Sequence, residues 1–204
     1  MKITVLASIG GLALVAAHAN AGWIGLDDFS GNETLIDFNT TDMGTLGNPA
    51  DIGFGVTVLN QGGGTGGDGW RGNTDWGSYF SNIAGASLGY ALADSWGASN
   101  LTYNLPAGTY RFGLLLSTGV TTTWDLTFYD AAGNVIDAGQ ATMPGDAQAV
   151  FVGYESMGAA IASVNISDVE NGYITLMDDV RFEVPAPGTF ALFGLAGLAC
   201  HRRR

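Results

Sequence analysis

The sequence predicts an all-β protein, an antiparallel two-sheet β-sandwich with a short apolar helix at each end. Three observations carry this. Residues 22–184 hold 27 of the 32 glycines, more than twice the ordinary usage of about 7%, and each glycine inside a helix costs about 1 kcal/mol relative to alanine. Short runs rich in Val, Ile, Thr, Tyr and Phe alternate apolar and polar residues with the period of a half-buried strand. Turn-forming clusters such as Pro106-Ala107-Gly108 and Asp130-Ala131-Ala132-Gly133-Asn134 separate those runs.

In chain order, residues 1–21 read as a secretory signal peptide. Lys2 is the basic start, 3–17 the apolar run, and Ala19-Asn20-Ala21 a small-x-small cleavage site for signal peptidase. One domain then spans 22–184, long enough to close a single core. Candidate strands lie at 23–29, 33–38 and 52–59, followed by a glycine-rich loop over 61–77. Leu101, Tyr103 and Leu105 share one strand face, as do Tyr110, Phe112, Leu114 and Leu116 in the next run. Trp124, Leu126 and Phe128 lead through a Gly-containing turn into Val135-Ile136, a hairpin signature. Further strands at 149–154, 161–166 and 173–184 complete two packed sheets.

Charge restricts the chemistry. Seven basic residues face nineteen acidic ones, a net charge of -12. Lys2 and Arg202, Arg203 and Arg204 stand at the ends, as do His18, His201 and Cys200, leaving Arg71, Arg111 and Arg181 as the only cations of residues 22–184. That middle carries a net charge of -16 and no Lys, His or Cys. A Ser-His-Asp or Cys-His nucleophile, a Schiff-base lysine, a zinc site and a disulfide framework are excluded from it. Nucleic acid is excluded as a partner for want of clustered cations.

The C-terminal stretch 185–204 has three parts in order. Val184-Pro185-Ala186-Pro187-Gly188 is followed by an almost unbroken apolar run over 190–200 and then His201-Arg202-Arg203-Arg204. A helix over the thirteen residues 188–200 is roughly 20 Å long, short of the ~30 Å hydrocarbon core. The arginines orient it with its end in the cytoplasm and the rest of the chain outside. This arrangement resembles the PEP-CTERM sorting signal of Gram-negative bacteria, with Ala186 where the family name has Glu. The resemblance implies transient anchoring in the inner membrane and processing by an exosortase. It further implies release to the cell surface or its exopolysaccharide matrix; separately, a cysteine before the arginines resembles other C-terminal sorting tails in which Cys is processed, which makes Cys200 a candidate modification site. A plain C-terminal anchor is the alternative.

The runs over 126–136, 151–156, 161–166 and 177–183 resemble the jelly-roll sandwiches of secreted PEP-CTERM proteins, which are similar in turn to galactose-binding-like carbohydrate modules. Three sites are candidates. In strict alternation Asp178 shares a face with Ile174, Leu176, Val180, Phe182 and Val184, so it interrupts an apolar stripe and needs a partner. With Asp179 and the N-terminal doublet Asp27-Asp28 it makes a candidate calcium site, the alternatives being a bulge or loop hydrogen bonds. Residues 63–71 match one calcium-binding nonapeptide, without the neighbouring repeats such a site requires. Trp70, Asp75, Trp76 and Trp96, near Tyr79 and Tyr90, form a candidate glycan site in which rings stack on sugars, the alternative being a cover over the core. Asn32, Asn39, Asn100 and Asn165 begin N-x-S/T triplets and read as ordinary turn and strand residues.

Three functions fit these readings. The first is a non-enzymatic surface or matrix protein whose acidity lets divalent cations bridge it to other polymers. The second is a module that binds extracellular polysaccharide through the Trp-rich segment. The third is a glycoside hydrolase using a carboxylate pair, which needs neither His nor Lys.

Overall fold

The computed structural model describes residues 22–39, 47–61, 71–73, 79–86, 91–93, 99–146, 148–168 and 175–185. The predicted signal helix and C-terminal helix lie outside these residues, as do Ala186, Pro187, Gly188 and Arg202 to Arg204. Thirteen strands are described: β1 (Gly22–Ile24), β2 (Thr34–Ile36), β3 (Ala50–Gly53), β4 (Val56–Asn60), β5 (Arg71–Asn73), β6 (Ala91–Ala93), β7 (Ser99–Asn104), β8 (Arg111–Thr118), β9 (Thr122–Tyr129), β10 (Val135–Met143), β11 (Val150–Glu155), β12 (Ser163–Asp168) and β13 (Thr175–Glu183). One sheet has the order β1-β11-β8-β13-β6-β5, with β2 also on β13. The other has the order β10-β9-β12-β7-β4-β3. This is the all-β, two-sheet antiparallel sandwich that the alternation predicts.

The core lies between the sheets. Phe112, Leu114 and Leu116 of β8, with Val180 and Phe182 of β13, meet Leu101, Tyr103, Trp124, Leu126, Phe128, Val164 and Ile166 from the six-stranded sheet. All are buried, and inward residues from both sheets interdigitate as in other aligned sandwiches. The six-stranded sheet keeps the clean alternation of β9 and β12, buried inside and open outside. The seven-stranded sheet does not, because β8 is buried on every residue from Phe112 to Thr118. A second cluster of Phe80, Leu115, Ala149 and Leu176 explains this: residues 79–86 cover its outer face. Asn82 holds that cover in place, donating from Nδ2 to the Ala149 carbonyl at 2.8 Å and accepting the Ala149 N–H at 2.9 Å.

Three sequence expectations are corrected. The strand expected at 23–29 stops at Ile24 and turns through a 3-10 segment at Leu26–Asp28, so Asp27 and Asp28 lie in an exposed turn. The carboxylate of Asp28 accepts the Gly25 N–H at 2.7 Å, which stabilises the turn. The run 52–59 is a hairpin, β3 to β4, whose connection places Gly53, Phe54 and Gly55 all at positive φ. The face reading of β13 also fails. Its pairing with β8 shifts between Asp178 and Arg181, and Asp179 has φ 47°. This bulge reverses the alternation, so Met177, Val180 and Phe182 point into the main core while Leu176 joins the outer cluster. Asp178, paired in register with Leu115, lies on that outer face and does not interrupt the main core.

Gly153 lets β1 lie against β11. A Cβ there would come within 2.9 Å of the Ile24 carbonyl oxygen and 2.7 Å of the Phe151 ring. Gly153→Ala is expected to cost roughly 1–3 kcal/mol through overpacking, read as a lowered denaturant midpoint.

Candidate functional site

The open face of the six-stranded sheet is a continuous hydrogen-bonding surface. On β9 the outward residues are Thr123, Asp125, Thr127 and Tyr129, and on β12 Ser163, Asn165 and Ser167, all at least partly exposed. β7 adds Asn100, Thr102 and Asn104, and β10 adds Gln140 and Thr142. Register sets these in rows: Asn165 lies opposite Thr102 and Thr127, and Ser167 opposite Asn100 and Asp125. Side chains brace one another along the rows. Asn165 Nδ2 donates to Asn100 Oδ1 at 2.7 Å and to Thr102 Oγ1 at 3.1 Å, Gln140 Nε2 donates to Asp125 at 2.8 Å, and Asn104 Nδ2 donates to Thr57 Oγ1 at 3.2 Å. Thr123 and Thr142 share a hydroxyl contact at 3.3 Å. Such pre-ordered amides and hydroxyls offer donors and acceptors at the fixed spacing of strands, about 4.8 Å.

A second feature is a cleft of about 970 Å³ at the end of the sandwich where β13 finishes, lined by Ser30, Asn32, Tyr110, Met157, Val184 and Pro185 among others. Two strand-end glutamates, Glu155 and Glu183, border it, a carboxylate pair that composition did not single out. Glu183 is saturated with donors. Its Oε1 accepts the Ser30 N–H at 2.8 Å and the Ser30 hydroxyl at 2.7 Å. Its Oε2 accepts the Tyr110 hydroxyl at 2.5 Å and Arg111 Nη1 at 3.2 Å. Arg111 bridges onward to Glu155 at 3.0 Å. Burial pushes the Glu183 pKa upward, but Ser30, Tyr110 and Arg111 outweigh it and hold the carboxyl below its ordinary range. Burial and the Glu183 contact push the Tyr110 hydroxyl up to about 12. A carboxylate held ionised has no proton to give as a general acid; the cluster is a clamp tying the chain at Ser30 to the end of β13.

Asp178 is 0% exposed. Its carboxylate accepts the Asp179 N–H at 2.8 Å, while Oδ2 is buried with no hydrogen-bond partner. Desolvation, aided by the nearby charges of Asp179 and Asp37, raises its pKa to about 9 against the opposing effects of the Asp179 N–H and Arg181. The group is therefore neutral at pH 7, the form that tolerates such a site. Arg181 spans the same surface, bound to Glu33 at 3.0 Å and Asp179 at 3.3 Å.

Asp27 and Asp28 are exposed in the N-terminal turn, and Asp178 and Asp179 are buried in the bulge of β13. Among the described residues no group of three or more His, Cys, Asp or Glu is placed to hold a metal ion. Trp70, Asp75, Trp76 and Trp96 lie outside the described residues, as does most of the 63–71 nonapeptide. Of the sorting motif, Val184 and Pro185 are described and line the end cleft. The polar sheet face is what sequence reading missed. Its signal was present in the outward partners of the apolar alternation, which on β7, β9 and β12 are nearly all Thr, Asn and Ser.

No protein-family model matches the sequence, and no curated protein matches it. Solved structures to which the chain is similar include the K2 cleaved adhesin domain of Lys-gingipain, 11% identical over 76% of this chain and 99% of that one, with a TM-score of 0.48. TmCBM61, solved in complex with β-1,4-galactotriose, is 15% identical over 74% of this chain and 95% of its own, with a TM-score of 0.45. The CBM22-1 xylan-binding domain of Paenibacillus barcinonensis Xyn10C is 8% identical over 75% and 95%, with a TM-score of 0.43. The structural neighbours thus include β-sandwiches named as carbohydrate-binding modules.

Two pH effects of opposite sign follow. Asp178 has a folded pKa above its unfolded value, so the native state loses stability as pH rises from about 4 toward 9. Asp178→Asn is expected to flatten that alkaline decline and raise the melting temperature at pH 8 by several degrees, with no response to a calcium chelator in the parent protein; a chelator-induced drop would instead assign Oδ2 to a bound cation. Glu183 has the reverse sign: its contribution is present above the ordinary carboxylate range and lost as pH falls through its lowered value. Glu183→Ala, which leaves Arg111 short of a partner, is expected to cost about 3 kcal/mol at pH 7 and less in acid, measured by urea titration.

Proposed function

We propose that this chain is an exported, non-enzymatic surface or matrix protein whose sandwich binds neutral extracellular polysaccharide along the open face of the six-stranded sheet. The observation that carries the reading is the braced array centred on Asn165, Thr102 and Thr127, uncharged except for Asp125 and the edge residue Asp51 in a chain with nineteen carboxylates. Sugar hydroxyls are both donors and acceptors, and amide and hydroxyl side chains held by neighbours meet them with little ordering cost. The absence of Arg and Lys from β7, β9, β10 and β12 disfavours uronate polymers, which would face an acidic protein without compensating cations. Export, processing by signal peptidase and exosortase, and passage through the inner membrane are part of the same proposal and rest on residues 1–21 and 185–204.

The test is affinity electrophoresis of the purified protein in gels containing neutral or uronate-rich polysaccharides. Thr127→Glu places a charge at the centre of the face without removing a described hydrogen bond and is expected to abolish retardation by the neutral polymer at unchanged melting temperature. Loss of retardation in Trp70→Ala and Trp76→Ala, with Thr127→Glu still bound, would move the site to the Trp-rich segment. No retardation by any polymer would leave a purely structural matrix role.

A further inference from the structure

We propose that the end of the sandwich from which β13 leaves is a lipid-contacting surface, resting on the bilayer while the C-terminal apolar run is inserted. The proposal rests on the reading of 190–200 as membrane-inserting, made above from the sequence. Four of the six large apolar side chains exposed among the described residues stand at this end: Phe54 at 69%, Val135 at 58%, Met157 at 50% and Val184 at 45%. They sit on neighbouring connections. A Cβ on Gly55 would lie 3.7 Å from Pro106, and one on Gly108 would lie 3.4 Å from Val184, while Met157 and Val184 line one cleft. Val135 enters β10 just after the turn that follows Tyr129, and Tyr129 pairs with Ser163 on the β12 end nearest Met157.

The exposure of Phe54 is built in. It occupies a hairpin tip at φ 52° between two glycines that are themselves at positive φ, a conformation a bulky side chain adopts only when the turn imposes it. At the opposite end the described connections expose Thr121, Pro144, Asp146 and Gln148 and no large apolar group. The two glutamates at the β13 end are paired with Arg111, and the carboxylates of the two neighbouring turns, Asp51 and Asp130, accept backbone N–H groups of Gly53 and of Ala132 and Asn134. The tether to the apolar run is short. The apolar run begins five residues after Pro185, a reach of at most ~18 Å when fully extended. An exposed apolar patch held that close to a bilayer is placed to enter the interface, where such side chains are favoured.

The experiment uses the full chain with Cys200→Ser, reconstituted in phosphatidylcholine vesicles, with one cysteine introduced as Phe54→Cys, Met157→Cys or Gln148→Cys and carrying an environment-sensitive fluorophore. Labels at 54 and 157 are expected to shift to the blue and to be quenched by brominated lipid, and the label at 148 to do neither while remaining open to iodide. Flotation of the chain with vesicles but equal solvent access at 54 and 148 overturns the lipid-contacting end alone. Failure to float overturns it together with the anchoring reading on which it rests.

Discussion

The bulge at Asp178-Asp179 is the constraint on which the arrangement of this sandwich turns. Without the extra residue, β13 would present Leu176, Asp178, Val180 and Phe182 on one face, and a carboxylate would lie in the main core. With it, Val180 and Phe182 fill the core beside Phe112 and Leu114, Leu176 turns outward to meet Leu115 and Phe80, and Arg181 and Glu183 reach the outer face. The bulge also sits where one edge of β13 passes from β6, paired at Leu176 and Met177, to β2, paired from Val180 to Phe182. One residue inserted into one strand thus decides what each half of that strand touches.

The cost of this device is Asp178, buried with an unsatisfied oxygen. Its protonation removes most of the penalty a charge would incur there. Glu183, five residues on, is treated in the opposite way: four donor contacts from Ser30, Tyr110 and Arg111 keep it charged. The same strand therefore contains an acid stabilised as a neutral group and an acid stabilised as an anion, and composition does not distinguish them. Glu183 fastens the N-terminal segment across the sheet to the point where the chain leaves the domain.

The outer faces of the two sheets differ in what covers them. The seven-stranded sheet spends its outer face on packing, beneath Phe80 and the Asn82 clasp, and is closed to ligand there. The six-stranded sheet has no such cover over β7, β9 and β12 among the described residues, and its outward Thr, Asn and Ser side chains are braced by one another rather than by a second layer. A largely uncharged, ordered face on a strongly acidic chain is what the proposed binding of a hydroxylated polymer requires, because it limits both repulsion and ordering cost.

The sequence by itself determined the fold class, because glycine density and period-two alternation in residues such as Leu101, Tyr103, Trp124, Leu126 and Phe128 are local properties that only a sandwich or barrel can bury. It also determined what chemistry the domain lacks, since no packing can supply an absent Lys, His or Cys. It located the unusual carboxylate at Asp178 and held a bulge there as an alternative, but strict alternation placed it on the wrong face, because the position of a bulge is set by cross-strand register. The end of the first strand after Ile24 and the hairpin at Phe54 were hidden for a similar reason: both are turns inside runs whose flanking apolar residues read as one strand. Only the tertiary structure decided which polar residues stand together. Asn100, Thr102, Thr127 and Asn165 are up to 65 positions apart, and strand order, which no local propensity encodes, makes them neighbours.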